Sequence, residues 1–272
     1  MKKSESGFSR LFLIIISGIA FALVTGYMWG FQTAMWWKFR HDFTKKAPIL
    51  NLIPQVLPNI AATSTKSTKL SYAGFEFEVP WTDLDSQESK FIRNTAVYRF
   101  QSGRALMFFG PSPTQEDLLS EVEKDFGDKQ GNLVKLFGPE ATKSNYAFHK
   151  AFLEETSARL KPWMSKRDAV RCGMLLTIKA VSSVGGETGI FKVQANGWKG
   201  FQFDDPSKKP KRTTLELYDS QDQHVEIIFM GKNEAGVDIT QGDINRVLET
   251  LRPAERLTAS KISVQDNPKG PN

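Results

Sequence analysis

The sequence predicts an α+β protein: one membrane-spanning helix at the N-terminus, then a domain of antiparallel sheet covered by helices. Three observations predict it. Residues 11–37 contain no charged side chain. Several later runs alternate apolar and polar residues with the period of two that half-buried strands require. Other stretches repeat apolar residues at the 3.6-residue spacing of helices. The chain has 272 residues, of which 40% are hydrophobic, enough to build a core.

Composition excludes several classes. The lone Cys172 rules out an internal disulfide and any cysteine-based zinc or iron–sulfur site. The formal charge of +6 is concentrated at one end. Residues 1–46 carry seven Lys/Arg against two acids, whereas residues 47–272 carry 29 against 28. The soluble part is close to neutral, so bulk electrostatics give no support for nucleic-acid binding.

After the tail 1–10, the uncharged run LFLIIISGIAFALVTGYMWGFQTAMWW (11–37) would reach roughly 40 Å as a helix, more than the ~30 Å hydrocarbon core. Tyr27, Trp29, Trp36 and Trp37 crowd its C-terminal end, where amphipathic rings favour the headgroup layer. A cleaved signal peptide is the rival reading, with Lys2, Lys3 and Arg10 as its basic region and Ala20-Phe21-Ala22 as its cleavage site. The run continues 15 residues past Ala22, which favours an uncleaved anchor. Lys2, Lys3 and Arg10 before it balance Lys38, Arg40, Lys45 and Lys46 after it, so charge alone does not orient it. The expected arrangement keeps the short N-terminus in the cytoplasm and exports the domain. Gly18, Ala22, Gly26, Gly30 and Ala34 recur at every fourth position. On a helix they form one shallow groove that lets another backbone approach, pointing to self-association or to a partner membrane protein.

Residues 38–69 read as a juxtamembrane linker. Pro48, Pro54 and Pro58 forbid one long helix, yet Ile49, Leu50, Leu52, Ile53, Val56 and Leu57 are too apolar for a free tether. That stretch is expected to rest on the bilayer or on the domain, with ATSTKSTK as the flexible part. The soluble domain is placed at 70–253, and the polar tail 254–272 is expected to be disordered.

Within the domain, GFEFEVP (74–80) echoes GFQFDDP (200–206), and TQED (114–117) echoes TQGD (240–243), both at an offset of 126. Each copy reads strand, hairpin, helix. Duplication and convergent local grammar both produce such an echo. Leu215, Leu217, Val225, Ile227 and Phe229 alternate with Glu216 and Glu226. Thr114 and Thr240 are expected N-caps with Asp three positions on. Residues 146–160 and the more apolar 163–184 read as helices. Asn196-Gly197 predicts a type I′ hairpin.

The order of an F-x-F-x-x-P strand, a helix, an antiparallel meander and a last helix resembles the PsbP-type α/β/α sandwich. GFEFEVP (74–80), TLELYDSQDQHVEIIF (214–229) and DINRVLETLRP (243–253) carry the resemblance, over roughly residues 70–253. It implies an accessory or binding role in the assembly of membrane or protein complexes, and it brings no functional residues with it.

No catalytic, cofactor-binding or metal-ligating constellation emerges. His41, His149 and His224 lack a second ligand at metal spacing. His149 reads as a partly buried helix residue, and Cys172 as a small hydrophobe. Gly185-Gly186-Glu187-Thr188-Gly189 lacks the Lys-Ser/Thr of a phosphate loop. Asp219-x-x-Asp222 lacks the acid that closes a calcium loop. Lys208, Lys209, Lys211 and Arg212 form a basic loop, either solvated or a dock for an anionic lipid, polymer or partner. The expectation is therefore a membrane-anchored, non-enzymatic interaction module. The alternatives are a hydrolase using carboxylates such as Glu76, Glu78 or Asp204, and a cytoplasm-facing adaptor.

Overall fold

A computed structural model describes residues 41, 48–57, 66–92, 95–111, 119, 132–161, 164–182, 189–205, 212–231 and 238–254. The expected span 11–37, with Gly18, Ala22, Gly26, Gly30 and Ala34, lies outside the described residues. So do Thr114, Lys208, Lys209, Lys211 and the tail from residue 255.

Among the described residues eleven strands form two sheets. They are β1 (Gln55–Val56), β2 (Thr68–Tyr72), β3 (Phe75–Val79), β4 (Leu84–Ile92), β5 (Thr95–Phe100), β6 (Ala105–Phe109), β7 (Gly189–Ala195), β8 (Trp198–Asp205), β9 (Arg212–Tyr218), β10 (His224–Met230) and β11 (Arg252–Pro253). The large sheet runs β1-β7-β8-β9-β10-β6-β5-β4, and the small one β11-β3-β2. Every pairing is antiparallel except that of β1 with β7. The helices are α1 (Asn132–Phe137), α2 (Asn145–Glu154), α3 (Lys166–Ser182) and α4 (Gln241–Thr250).

The expected fold class needs correction on two points. The described chain is mostly sheet with few helices, and among the described residues no helix is long and apolar enough to cross a membrane. Two strands arise where the sequence offers no apolar alternation. The polar LDSQESKFI becomes β4, and Thr68-Lys69 of the expected tether opens β2. Here the partner strand decides the conformation, because β-propensity depends on context. The helix expected at 146–160 stops at Glu154, since Glu155 and Thr156 are extended.

The large sheet is the middle layer. Phe108, Leu217 and Ile227 of its one face pack under Phe77 and Val79 of β3 and Val247 of α4. On the opposite face, Ile190 and Phe201 meet Phe148 and Phe152 of α2 and Leu175 of α3. Leu50, in the 3-10 turn Pro48–Asn51, is fully buried in this second core. Of the two resting places expected for this part of the linker, residues 48–57 therefore take the domain, with β1 as an edge strand.

The echo does not map onto equivalent positions. GFEFEVP forms β3 in the small sheet, whereas GFQFDD belongs to β8 in the large one. The strand that sits beside hairpin β5–β6 as β8 sits beside β9–β10 is β4. An internally duplicated strand–hairpin–helix unit is thus not what the strand order displays.

Two local expectations have direct counterparts. Asn196 (φ 49°) and Gly197 (φ 83°) make the left-handed pair of the β7–β8 turn. Thr240 and Asp243 close both bonds of a capping box at α4. Two further side-chain caps have no counterpart in the sequence reading: Ser144 Oγ accepts from the Ala147 amide at 3.0 Å at the start of α2, and Ser165 Oγ from the Asp168 amide at 3.1 Å at the start of α3. The far edge is guarded, because β4 bulges between Asp85 and Lys90 and the Asp85 carboxylate accepts from the Gln87 and Glu88 amides.

Candidate functional site

The carboxylates favoured for hydrolysis are engaged in structural bonds. Glu76 Oε2 lies 2.7 Å from Lys69 Nζ and 3.5 Å from Arg252 Nη2. The Lys69 contact leads in holding its pKa below the ordinary carboxylate value. Glu78 accepts from Ser67 Oγ at 2.9 Å and from Arg246, and the Ser67 bond leads in lowering its pKa. Asp204 Oδ1 accepts from Thr213 Oγ1 at 2.9 Å and from Gln202 Nε2 at 3.1 Å. Arg212 opens β9 opposite Asp205, and its Nε donates to Thr214 Oγ1 at 3.3 Å.

Asp219 and Asp222 are not free to bind calcium. Asp219 Oδ1 accepts from the Gln221 and Gln223 amides, both at 2.8 Å. The Asp222 carboxylate reaches across to α2 and accepts from the Asn145 amide at 2.5 Å and the Tyr146 amide at 3.2 Å. A helix N-terminus has orphan amides, and this one takes an acceptor from a distant hairpin. Asp222 pays for the reach with a left-handed φ of 64°.

Two polar assemblies were not foreseen. In the first, His149 Nδ1 lies 2.8 Å from Tyr218 Oη and 3.1 Å from Glu216 Oε2, with the ring stacked on Phe152 at 4.6 Å. Desolvation drops the His149 pKa to about 3 and that of His224, stacked on Tyr218, to about 4. Desolvation leads both shifts, and both rings are neutral at pH 7. Glu226 stands directly opposite Glu216, and desolvation raises its pKa. Glu216 and Glu226 read as the solvent face of a hairpin. The signal that could have found the cluster was two acids in register across that hairpin and a histidine on an apolar helix.

In the second, Lys179 is completely buried on α3. Its Nζ donates to the carbonyls of Leu52 at 2.6 Å, Leu153 at 2.7 Å and Glu155 at 2.7 Å. Three acceptors satisfy the three ammonium hydrogens, while desolvation lowers its pKa to about 8. Its signal was a cation inside CGMLLTIKAV. The nearby Cys172 thiol is buried, which pushes its pKa well above the ordinary range. Among the described residues no group of His, Cys, Asp and Glu could hold a metal ion.

Open space is found beside β7. A cleft of about 540 Å³ is lined by Val56, Leu57, Val193, Ala195, Leu248 and Glu249, among others. A second, of about 280 Å³, shares Glu249 and runs past Asn196 and Thr250 to Glu78. Strand β7 and helix α4 both line the larger cleft, which mixes apolar Leu57, Val193 and Leu248 with polar Gln194, Asn245 and Glu249, a lining usual for a binding site. No protein-family model matches the chain, and no curated protein matches it.

Proposed function

We propose that this protein is a membrane-associated, non-enzymatic interaction module that binds a partner in the cleft between β7 and α4. The observation that carries the reading is the cleft itself: about 540 Å³ with an apolar floor from Leu57, Val193 and Leu248. The engagement of Glu76, Glu78, Asp204, Asp219 and Asp222 in internal bonds supports binding over hydrolysis. The uncharged run 11–37 supports residence at a membrane, and the reading places the domain on the extracytoplasmic side. The PsbP-type resemblance of residues 74–80, 214–229 and 243–253 agrees with an accessory role.

Photo-crosslinking in the native cell tests the reading. A photoreactive residue at Ala195 or Asn245 is expected to capture one and the same partner, and the same residue at Lys90, on the opposite sheet edge, none. Absence of capture at both cleft positions refutes it.

A further inference from the structure

We infer that the face where the chain enters the domain, built on Lys135, Arg159, Lys161, Lys166, Arg167 and Arg171, lies against the anionic headgroups of the bilayer that holds residues 11–37. This rests on the reading of that run as a membrane segment and holds for either orientation of the domain. The surface shares no residue with the cleft.

Packing gathers the six cations from separate parts of the chain. Arg167, at the start of α3, donates from Nε to the Lys135 carbonyl of α1 at 2.9 Å, and from Nη2 to the same oxygen. Arg171, one turn on, lies beside Gly138 just past α1, where a Cβ would sit 3.3 Å from its Nη1. Arg159 and Arg171 both act electrostatically on the Cys172 thiol. The Lys161 carbonyl accepts from the Met164 amide at 3.2 Å in the turn that leads to α3. All but Arg171 are exposed. The acids nearby are engaged. Glu155 is buried and lies 3.5 Å from Arg159 Nη1, Glu140 is 2.7 Å from Lys143 Nζ, and Asp168 accepts from Ser165 Oγ at 2.6 Å.

Neither helix stability nor general basicity accounts for this face. Lys166 and Arg167 stand in the first turn of α3, where the helix dipole disfavours cations. Residues 47–272 carry 29 Lys/Arg against 28 acids, so a cationic face here is a separation of charge within a neutral domain.

Its place in the chain names the partner. The 3-10 turn Pro48–Asn51 packs on α3 and on the 3-10 turn Ser157–Arg159, and Ser157 Oγ donates to Asn51 Oδ1 at 2.6 Å. Only residues 38–47 separate this entry point from the uncharged run, a length of chain that spans at most about 35 Å. They add Lys38, Arg40, Lys45 and Lys46 against Asp42. Basic groups tethered beside a membrane span are drawn to anionic lipid, within a screening length of about 10 Å.

The test uses the full chain, purified in detergent and reconstituted into nanodiscs of phosphatidylcholine alone or mixed equally with phosphatidylglycerol. A photoreactive residue at Ala158 or Val134, both exposed on this face, is expected to form lipid adducts visible by mass spectrometry. Their yield should be roughly threefold or more higher in the anionic discs, and the same residue at Gln87 on β4 should form none. Lys161→Glu with Lys166→Glu should abolish the excess, as should salt of about 0.5 M. Lys90→Glu with Arg99→Glu makes the same change in net charge on β4 and β5 and should preserve it. All four substituted side chains are exposed, so both variants fold. Absence of lipid adducts at Ala158 and Val134, equal yields in the two lipids, or equal loss in the two double variants overturns the inference and leaves the membrane reading standing. Failure of the chain to enter either disc overturns both.

Discussion

Lys179→Met removes a donor that three carbonyls share. Hydrogen bonds to a charged group contribute about 1.5–3 kcal/mol each, so the three amount to roughly 5–9 kcal/mol. Methionine leaves no buried charge behind, only three carbonyls without this donor, and an unsatisfied buried acceptor costs about 1–3 kcal/mol, which puts the loss at the low end of that range. Methionine fills similar volume, so cavity formation adds little. The expected result is a loss of about 3–5 kcal/mol in guanidinium unfolding followed by tryptophan fluorescence. Faster amide exchange across residues 48–57 should accompany it, because the Leu52 carbonyl is one of the three acceptors. A loss below about 1 kcal/mol, with exchange there unchanged, would show that the three contacts do not hold this segment to the domain.

Acid should destabilise the fold before the carboxylates titrate. His149 and His224 have folded pKa values of about 3 and about 4, below the ordinary 6.5, so the unfolded chain takes up protons first. Stability is then lost as pH falls from 6.5, by about 3 kcal/mol at pH 4 from His224 alone. His224→Gln should flatten the stability–pH curve in that window, and an unchanged slope would contradict the assignment. Asp222→Ala removes the acceptor of two α2 amides and should cost about 1–2 kcal/mol in thermal or chemical unfolding. Gly200→Ala is expected to be more severe, since a Cβ there would sit 1.9 Å from the Glu216 carbonyl oxygen. Loss of soluble folded protein, or a penalty above about 3 kcal/mol, is the outcome to check by circular dichroism.

What could be read from the sequence was whatever a short window encodes. The β9–β10 alternation, the Asn196-Gly197 turn and the Thr240–Asp243 cap are each decided by neighbours in the chain, and each is formed. The strand β4 was illegible because LDSQESKFI has no buried face of its own and is extended by pairing with β5. The role of residues 48–57 was half legible: Ile49 and Leu50 were too apolar for a tether, but β7 and α3, which receive them, lie more than 100 residues away. The cleft was not legible at all. It is made by strand order, and neither Val193 nor Glu249 carries a local mark of the other's proximity. The mapping of the echo failed for a related reason, as identical F-x-F strands were sorted into different sheets by the partners available.

The docking of residues 48–57 has a mechanical consequence. A pull on the chain upstream of Pro48 would first meet the packing of Leu50 and then the contact between the Leu52 carbonyl and Lys179. Beyond these it reaches β1, which lies parallel to β7. Tension along a strand axis stresses the ladder bonds together in shear, whereas a perpendicular pull would peel them apart singly. The N-terminal graft thus transmits force from whatever holds residues 1–47 to the edge of the large sheet, and it does so through the same strand that forms one wall of the cleft.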